Sequence, residues 1–195
     1  MEWVVPIQTF EPPKVRIGQI TSQPKRLVPI SYADGEIAFN GISLLLPPLP
    51  VKSYDAASGR LILSLSGQAV TATKLQTLQD SVLVAVRNMQ SAWFPGEKIR
   101  GLEEIRSGFQ PLIEGGLLHL YCPCTQSSVA ANDISIYDGA NWSYTKPTAK
   151  LFAAGRVLRI AIKLHSMSFH QHTGNSMWTG RFRFQHRLLA VMAAA

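Results

Sequence analysis

The sequence predicts a β-rich α+β fold, an antiparallel barrel or curled sheet carrying one packed amphipathic helix. Three observations predict it. Residues 60–66, 156–169 and 178–191 alternate apolar and polar side chains, the period-two pattern of half-buried strands. Residues 73–93 instead repeat apolar side chains every three or four positions, the pattern of a helix lying on a sheet. Glycine and proline clusters punctuate the chain between these stretches.

Taken in order, residues 1–30 read as a proline-rich arm. Pro6, Pro12, Pro13, Pro24 and Pro29 recur too often for a helix or a central strand. The arm carries a small basic group, Lys14, Arg16, Lys25 and Arg26. It reads either as a loose terminus or as a strap over nucleic acid or a neighbouring subunit.

Residues 36–46 read as a strand stopped by Pro47-Pro48. Val51 to Tyr54 and Arg60 to Ser66 then form an antiparallel pair about an Asp55–Gly59 turn. Thr73-Lys74-Leu75-Gln76 fits a capping box, which starts the helix at residue 73. Leu75, Leu78, Val82, Val86, Met89 and Trp93 make its apolar stripe, and Pro95-Gly96 ends it. A short helix is expected over Gly101 to Ser107, and strands at Leu117–Tyr121 and Ile134–Tyr137. A loop from the Asp138-Gly139 turn to about Leu151 leads into two long strands, Arg156–Phe169 and Trp178–Val191. Their alternation places Arg159 and Lys163 on the polar face of one strand. Arg181, Arg183 and Arg187 share the polar face of the other, with Phe182 and Phe184 on the core side.

Charge is distributed unevenly. The 195 residues carry a formal net charge of +7, yet Asp138 is the last carboxylate. Beyond it come Lys146, Lys150, Arg156, Arg159, Lys163, Arg181, Arg183 and Arg187, so the first 138 residues hold a net −1. Four of the five histidines, including His165, also lie in this stretch. A field so one-sided attracts polyanions. Single strands are bound by cationic grooves with aromatic platforms, each stacked base contributing ~1–3 kcal/mol. Trp142, Tyr144 and Trp178 are the candidate platforms. Only 16% of residues are charged, which leaves surface for a partner or a second copy of the chain.

Catalytic chemistry is not signalled. Carboxylates are scattered and absent from the basic region, which excludes a metal-dependent nuclease that needs them beside the phosphate. No phosphate loop or nucleophile elbow occurs. Cys122-Pro123-Cys124 and His170-Gln171-His172 offer zinc-type ligands, but without the usual two-to-four-residue spacing, so neither metal nor cofactor is expected. Two cysteines and the lack of a leader-like or ~20-residue apolar stretch fit a reducing, intracellular compartment and no membrane.

The chain also carries short phrases in a recognisable order. Leu46-Pro47-Pro48-Leu49-Pro50-Val51 and Tyr54-Asp55 precede an amphipathic helix ending in Trp93-Phe94. Gly155-Arg156-Val157-Leu158-Arg159-Ile160 and Trp178-Thr179-Gly180-Arg181-Phe182-Arg183 close the sequence. Over roughly residues 35–190 this layout resembles the OB-fold-type single-stranded-DNA-binding proteins of large DNA viruses and phages. The resemblance implies one OB-like nucleic-acid-binding domain over residues 31–195, coating single-stranded DNA during replication or recombination at a nuclear or cytoplasmic site of a host cell. The interface would comprise Arg156, Arg159, Lys163, His165, Trp178, Arg181, Arg183, Arg187, Trp142, Tyr144, Lys146 and Lys150, with DNA favoured over RNA. Many such proteins end in an acidic tail, whereas this chain ends Ala190-Val191-Met192-Ala193-Ala194-Ala195. The competing expectation is a structural protein of a virus particle, with the arm and the apolar terminus making subunit contacts and the basic face meeting packaged genome.

Overall fold

The computed structural model describes residues 3–21 and 25–193. Strands take up 44% of the chain and helix 21%, so the β-rich reading with one packed helix holds. The proline-rich start is folded in rather than loose. Strand β1 (Val5–Pro6) leads into Ile7 and Phe10, both wholly buried, and Phe10 meets the Tyr32 ring at 5.5 Å. A 3-10 turn at Pro12–Lys14 leads into β2 (Val15–Ile17). Pro24 lies outside the described residues.

Strand β3 (Leu27–Asp34) and β4 (Ile37–Asn40) form a hairpin, with β2 on the other side of β3. The strand expected over 36–46 is broken at Gly41, whose φ of 87° separates β4 from β5 (Ile42–Leu45). Strand β1 lies parallel to β5. Strands β6 (Leu49–Asp55) and β7 (Arg60–Ser64) make the expected antiparallel pair about Gly59.

Helix α1 (Ala69–Trp93) starts four residues before the expected position. Gly67, at φ 73°, turns the chain out of β7, and Gln68 caps the helix without a side-chain bond. The helix-favouring Ala69 and Ala72 extend it backwards, and Thr73 stands one turn inside, where its carbonyl accepts from the Thr77 hydroxyl. The capping-box reading therefore fails. The apolar stripe is correct, but two buried glutamines share it. Gln79 Oε1 accepts from the backbone N–H of Leu112 at 2.5 Å and of Ile113 at 2.8 Å. Gln90 likewise accepts from Arg100 N–H at 2.8 Å and donates to Arg100 O at 2.8 Å. Each fastens the chain beyond the helix to its buried face.

Helix α2 (Leu102–Gly108), β8 (Phe109–Gln110), β9 (Ile113–Glu114) and β10 (Leu117–Tyr121) follow. Strand β11 (Ile134–Tyr137) turns through Asp138-Gly139 into β12 (Trp142–Thr145), where the sequence suggested only loop. All four β12 residues are exposed, so no burial alternation marks it. The spine is the hairpin β13 (Val157–Gln171) and β14 (Trp178–Ala193). The sheet runs β12-β11-β14-β13-β6-β7-β10-β9, with β3 and β5 also on β13 and β8 on β14. Among the described residues no pairing closes it into a barrel; the sheet is open and uncurled. No described helix is long and apolar enough to cross a membrane.

Bulges aim the spine's side chains. Leu158, Ile160, Ile162 and Leu164 point into the core. Leu164 pairs with His186 and Ser166 with Gln185, so His165 is an extra residue on β13. Beyond it the buried set moves from even to odd numbers, to Met167 and Phe169. The hairpin end is sealed by aromatic rings: Phe94 stacks on Trp178 at 4.6 Å, and Phe169 on Phe182 at 5.3 Å.

Candidate nucleic-acid interface

The outer face of β13–β14 follows from register. Arg159 pairs with Met192, Lys163 with Arg187, Ser166 with Gln185, and Ser168 with Arg183. Paired residues point to the same side of a sheet. Arg159, Lys163, Arg183 and Arg187, with Arg181 two residues before Arg183, therefore share one face, as the period-two reading expects. The pairing continues beyond β14. Tyr137 stands beside Met192 and opposite Trp142; Ser135 stands beside Ala190 and opposite Tyr144. Trp142 and Tyr144, 58% and 75% exposed, thus lie on the cationic side of the sheet. Among the described residues no ion pair joins Arg159, Arg181 or Arg183 to a carboxylate.

Clefts succeed one another along β14. The first, about 670 Å³, gathers Arg181, Arg183 and His170 with Lys25 of the N-terminal segment. The second, about 300 Å³, is lined by Arg183, Gln185, Arg60 and His119. The third, about 570 Å³, sets Gln185 and Arg187 beside Tyr121 and Tyr144. The fourth, about 590 Å³, collects Arg187, Lys163, His165 and Arg16. Gln185 belongs to the first three and Arg187 to the last two, so neighbouring clefts share a residue of β14. Asp133, in the third, is the one carboxylate lining them among the described residues.

Histidines register this environment. His165 is held below its ordinary pKa by burial first, then by Arg187 and Lys163. His119 is lowered by burial and by Arg60, whose guanidinium lies 3.2 Å from its Nδ1. His186 is pushed down to about 4, chiefly by burial and then by Arg183. Its Nε2 accepts the Tyr121 backbone N–H at 2.7 Å, which fixes the proton of the neutral ring on Nδ1.

Not every expected residue reaches this surface. Trp178 is 1% exposed and cannot serve as a stacking platform. Phe94 covers one part of it, the Arg100 guanidinium lies 4.5 Å from its ring, and its indole N–H donates to Arg181 O at 2.9 Å. Its backbone N–H donates to Glu97, which pairs with Arg26 at 2.6 Å. Arg156 and Lys150 belong to the far end of β13, where Arg156 donates to Lys150 O at 3.3 Å. Lys146 is exposed just beyond β12, and Trp142 packs on Tyr137 at 5.3 Å; neither lines a cleft of the series. Gln185 takes the place on β14 that the alternation expects, while Arg16, Lys25, Arg60, His119 and Tyr121 join the surface from elsewhere in the chain. Arg16 and Lys25 stand out in sequence only as arm cations, and nothing local marks the rest.

Cys122 and Cys124 are both buried, and burial pushes the Cys122 thiol well above its usual range, which makes it a poor metal ligand or nucleophile. Among the described residues no three His, Cys, Asp or Glu side chains gather as a metal site. No family model, curated protein or solved structure matches the chain.

Proposed function

We propose that this protein binds single-stranded nucleic acid, DNA in the first instance, without catalysis and largely without regard to sequence. One observation carries the reading: the register of β12-β11-β14-β13 gathers five cations and two exposed aromatic rings on one side of the sheet. Phosphates would meet Arg181, Arg183, Arg187, Lys163 and Arg159, and bases would stack on Trp142 and Tyr144. The OB-type reading of the fold rests on element order, and an open sheet offers a strand-binding face of the same kind. Coating of displaced strands inside a cell is the role this implies. Titrating single-stranded DNA, duplex and RNA of one sequence tests it. Preference for single-stranded DNA supports the reading; preference for duplex contradicts it.

A structural role in a virus particle is favoured by a different observation. Trp3 stacks on Phe39 at 5.7 Å, and both Trp3 and Ile37 are about 60% exposed, an apolar patch suited to a neighbouring subunit. Light scattering of the protein free of nucleic acid separates the readings: a large ordered assembly supports this one, a monomer or dimer the first.

A further inference from the structure

The second cleft is built from strands that meet only in the folded chain. Strand β10 comes back to β14 where the Tyr121 backbone N–H donates to His186 Nε2 at 2.7 Å. Beside that junction β7, β10 and β14 each bring one basic side chain to the cleft: Arg60, His119 and Arg183. Arg60 stands opposite Tyr121 in the β7–β10 pair, and His119 lies two residues before Tyr121, so these three share one face. The Arg60 guanidinium lies 3.2 Å from His119 Nδ1. A guanidinium only donates, so the ring accepts through Nδ1. That bond holds Arg60 in place, and a neutral ring leaves its charge uncompensated. Asp55, the carboxylate opposite Arg60 in the β6–β7 pair, accepts instead from the Ser58 hydroxyl and the Ala57 N–H. Among the described residues no ion pair joins Arg60 or Arg183 to a carboxylate, and no carboxylate lines the cleft.

Guanidinium groups bind phosphate oxygens through charge-assisted, bidentate hydrogen bonds. The cleft, about 300 Å³, sits at the lower end of small-ligand sites, with room for one phosphate and its sugar. We propose that Arg60, His119 and Arg183 form a seat for one internal phosphate of a bound single strand. The seat rests on the strand-binding reading above and extends its surface from β14 to β7 and β10. The cleft shares Tyr121, Gln185 and His186 with the one that Tyr144 lines, so a strand with a base on Tyr144 continues into it. His119 reports on the occupant. Burial first and then Arg60 hold its pKa below the ordinary value, Glu114 of β9 acts the other way, and Arg183 and His186 of β14 line the same cleft. A phosphate added to that set favours the imidazolium and raises the pKa.

NMR of the His119 ring across pH, with and without an oligothymidine of about twelve nucleotides, tests this. The ring pKa rises by about one unit in the complex. Arg60→Ala, at an exposed position, shrinks that rise. It also lowers the magnitude of the slope of log affinity against log salt by about 0.7, one phosphate contact. Lys52→Ala, exposed on β6 and lining none of the clefts, changes neither. A His119 ring that responds to inorganic phosphate but not to the oligothymidine assigns the seat to the free ion and overturns the strand assignment. Strand binding, read by fluorescence anisotropy, with an unmoved His119 pKa or an unchanged slope in Arg60→Ala overturns the seat and leaves the strand-binding reading standing. No binding of the strand and no response to phosphate removes both.

Discussion

Lys163 on β13 stands directly opposite Arg187 on β14, cation facing cation across the central hairpin. Like charges so placed destabilise a strand pair, and the His165 imidazole between them in the bulge is depressed by both after burial. The pair lies where the N-terminal half of the chain joins the spine, Lys163 standing opposite Ser43 of β5 on its other side.

Arg181 and Arg183 open the series of clefts and have no carboxylate partner among the described residues. Replacing both with Ala lowers affinity for single strands of every sequence alike. For two lost phosphate contacts the slope of log affinity against log salt falls in magnitude by about 1.4. Isotherms at several salt concentrations measure it; an unchanged slope means the arginines do not touch phosphate.

The aromatic residues divide into two classes with opposite signatures. Trp142→Ala with Tyr144→Ala weakens strand binding by about 1–3 kcal/mol per lost stack and leaves the melting temperature nearly unchanged. Trp178→Ala removes a ring sealed among Phe94, Phe169 and Phe182 and costs roughly 3–5 kcal/mol of stability. Thermal melts and binding curves on both variants separate the classes.

Glu97 holds two elements at once, Arg26 through one oxygen and the Trp178 backbone through the other. Its side chain is 7% exposed and that of Arg26 19%. Glu97→Ala leaves a largely buried guanidinium unpaired and costs about 3–5 kcal/mol in denaturant unfolding. A loss below about 1 kcal/mol places this pair with ordinary surface ion pairs.

Stability also depends on the buried His186. Its folded pKa of about 4 lies below the 6.5 of an unperturbed histidine, so the unfolded chain binds the extra proton between those values. Stability therefore falls as pH drops from about 6.5 to about 4, by about 3 kcal/mol from this group. His186→Gln, which keeps an acceptor for Tyr121 N–H, flattens that part of the profile. Urea unfolding across this range reads the slope; identical slopes in both proteins assign the acid loss to other groups.

The long hairpin, the cationic alternation and the apolar stripe of α1 were legible because each is a local periodicity. Arg181, Phe182, Arg183 and Phe184 obey period two over the whole stretch that binds β8. What escaped the sequence is non-local. The bulge at His165 reverses which residues face inward, yet no residue type announces it. Trp178 reads as a hairpin-end aromatic, and only its docking on Phe94, some eighty residues earlier, buries it. Arg60 and His119 approach because β7 pairs with β10, a contact between distant segments. The first thirty residues looked loose because prolines suppress a strand signal, whereas Ile7 and Phe10 bury themselves without one.

The central claim is that the β13–β14 outer face binds the phosphates of a single strand. Measuring affinity for one single-stranded DNA oligonucleotide across a salt series tests it most directly. Log affinity falling linearly with log salt at a slope of roughly −3, set by four to five phosphate contacts, is the result predicted. An affinity indifferent to salt, or no binding at low salt, would contradict it.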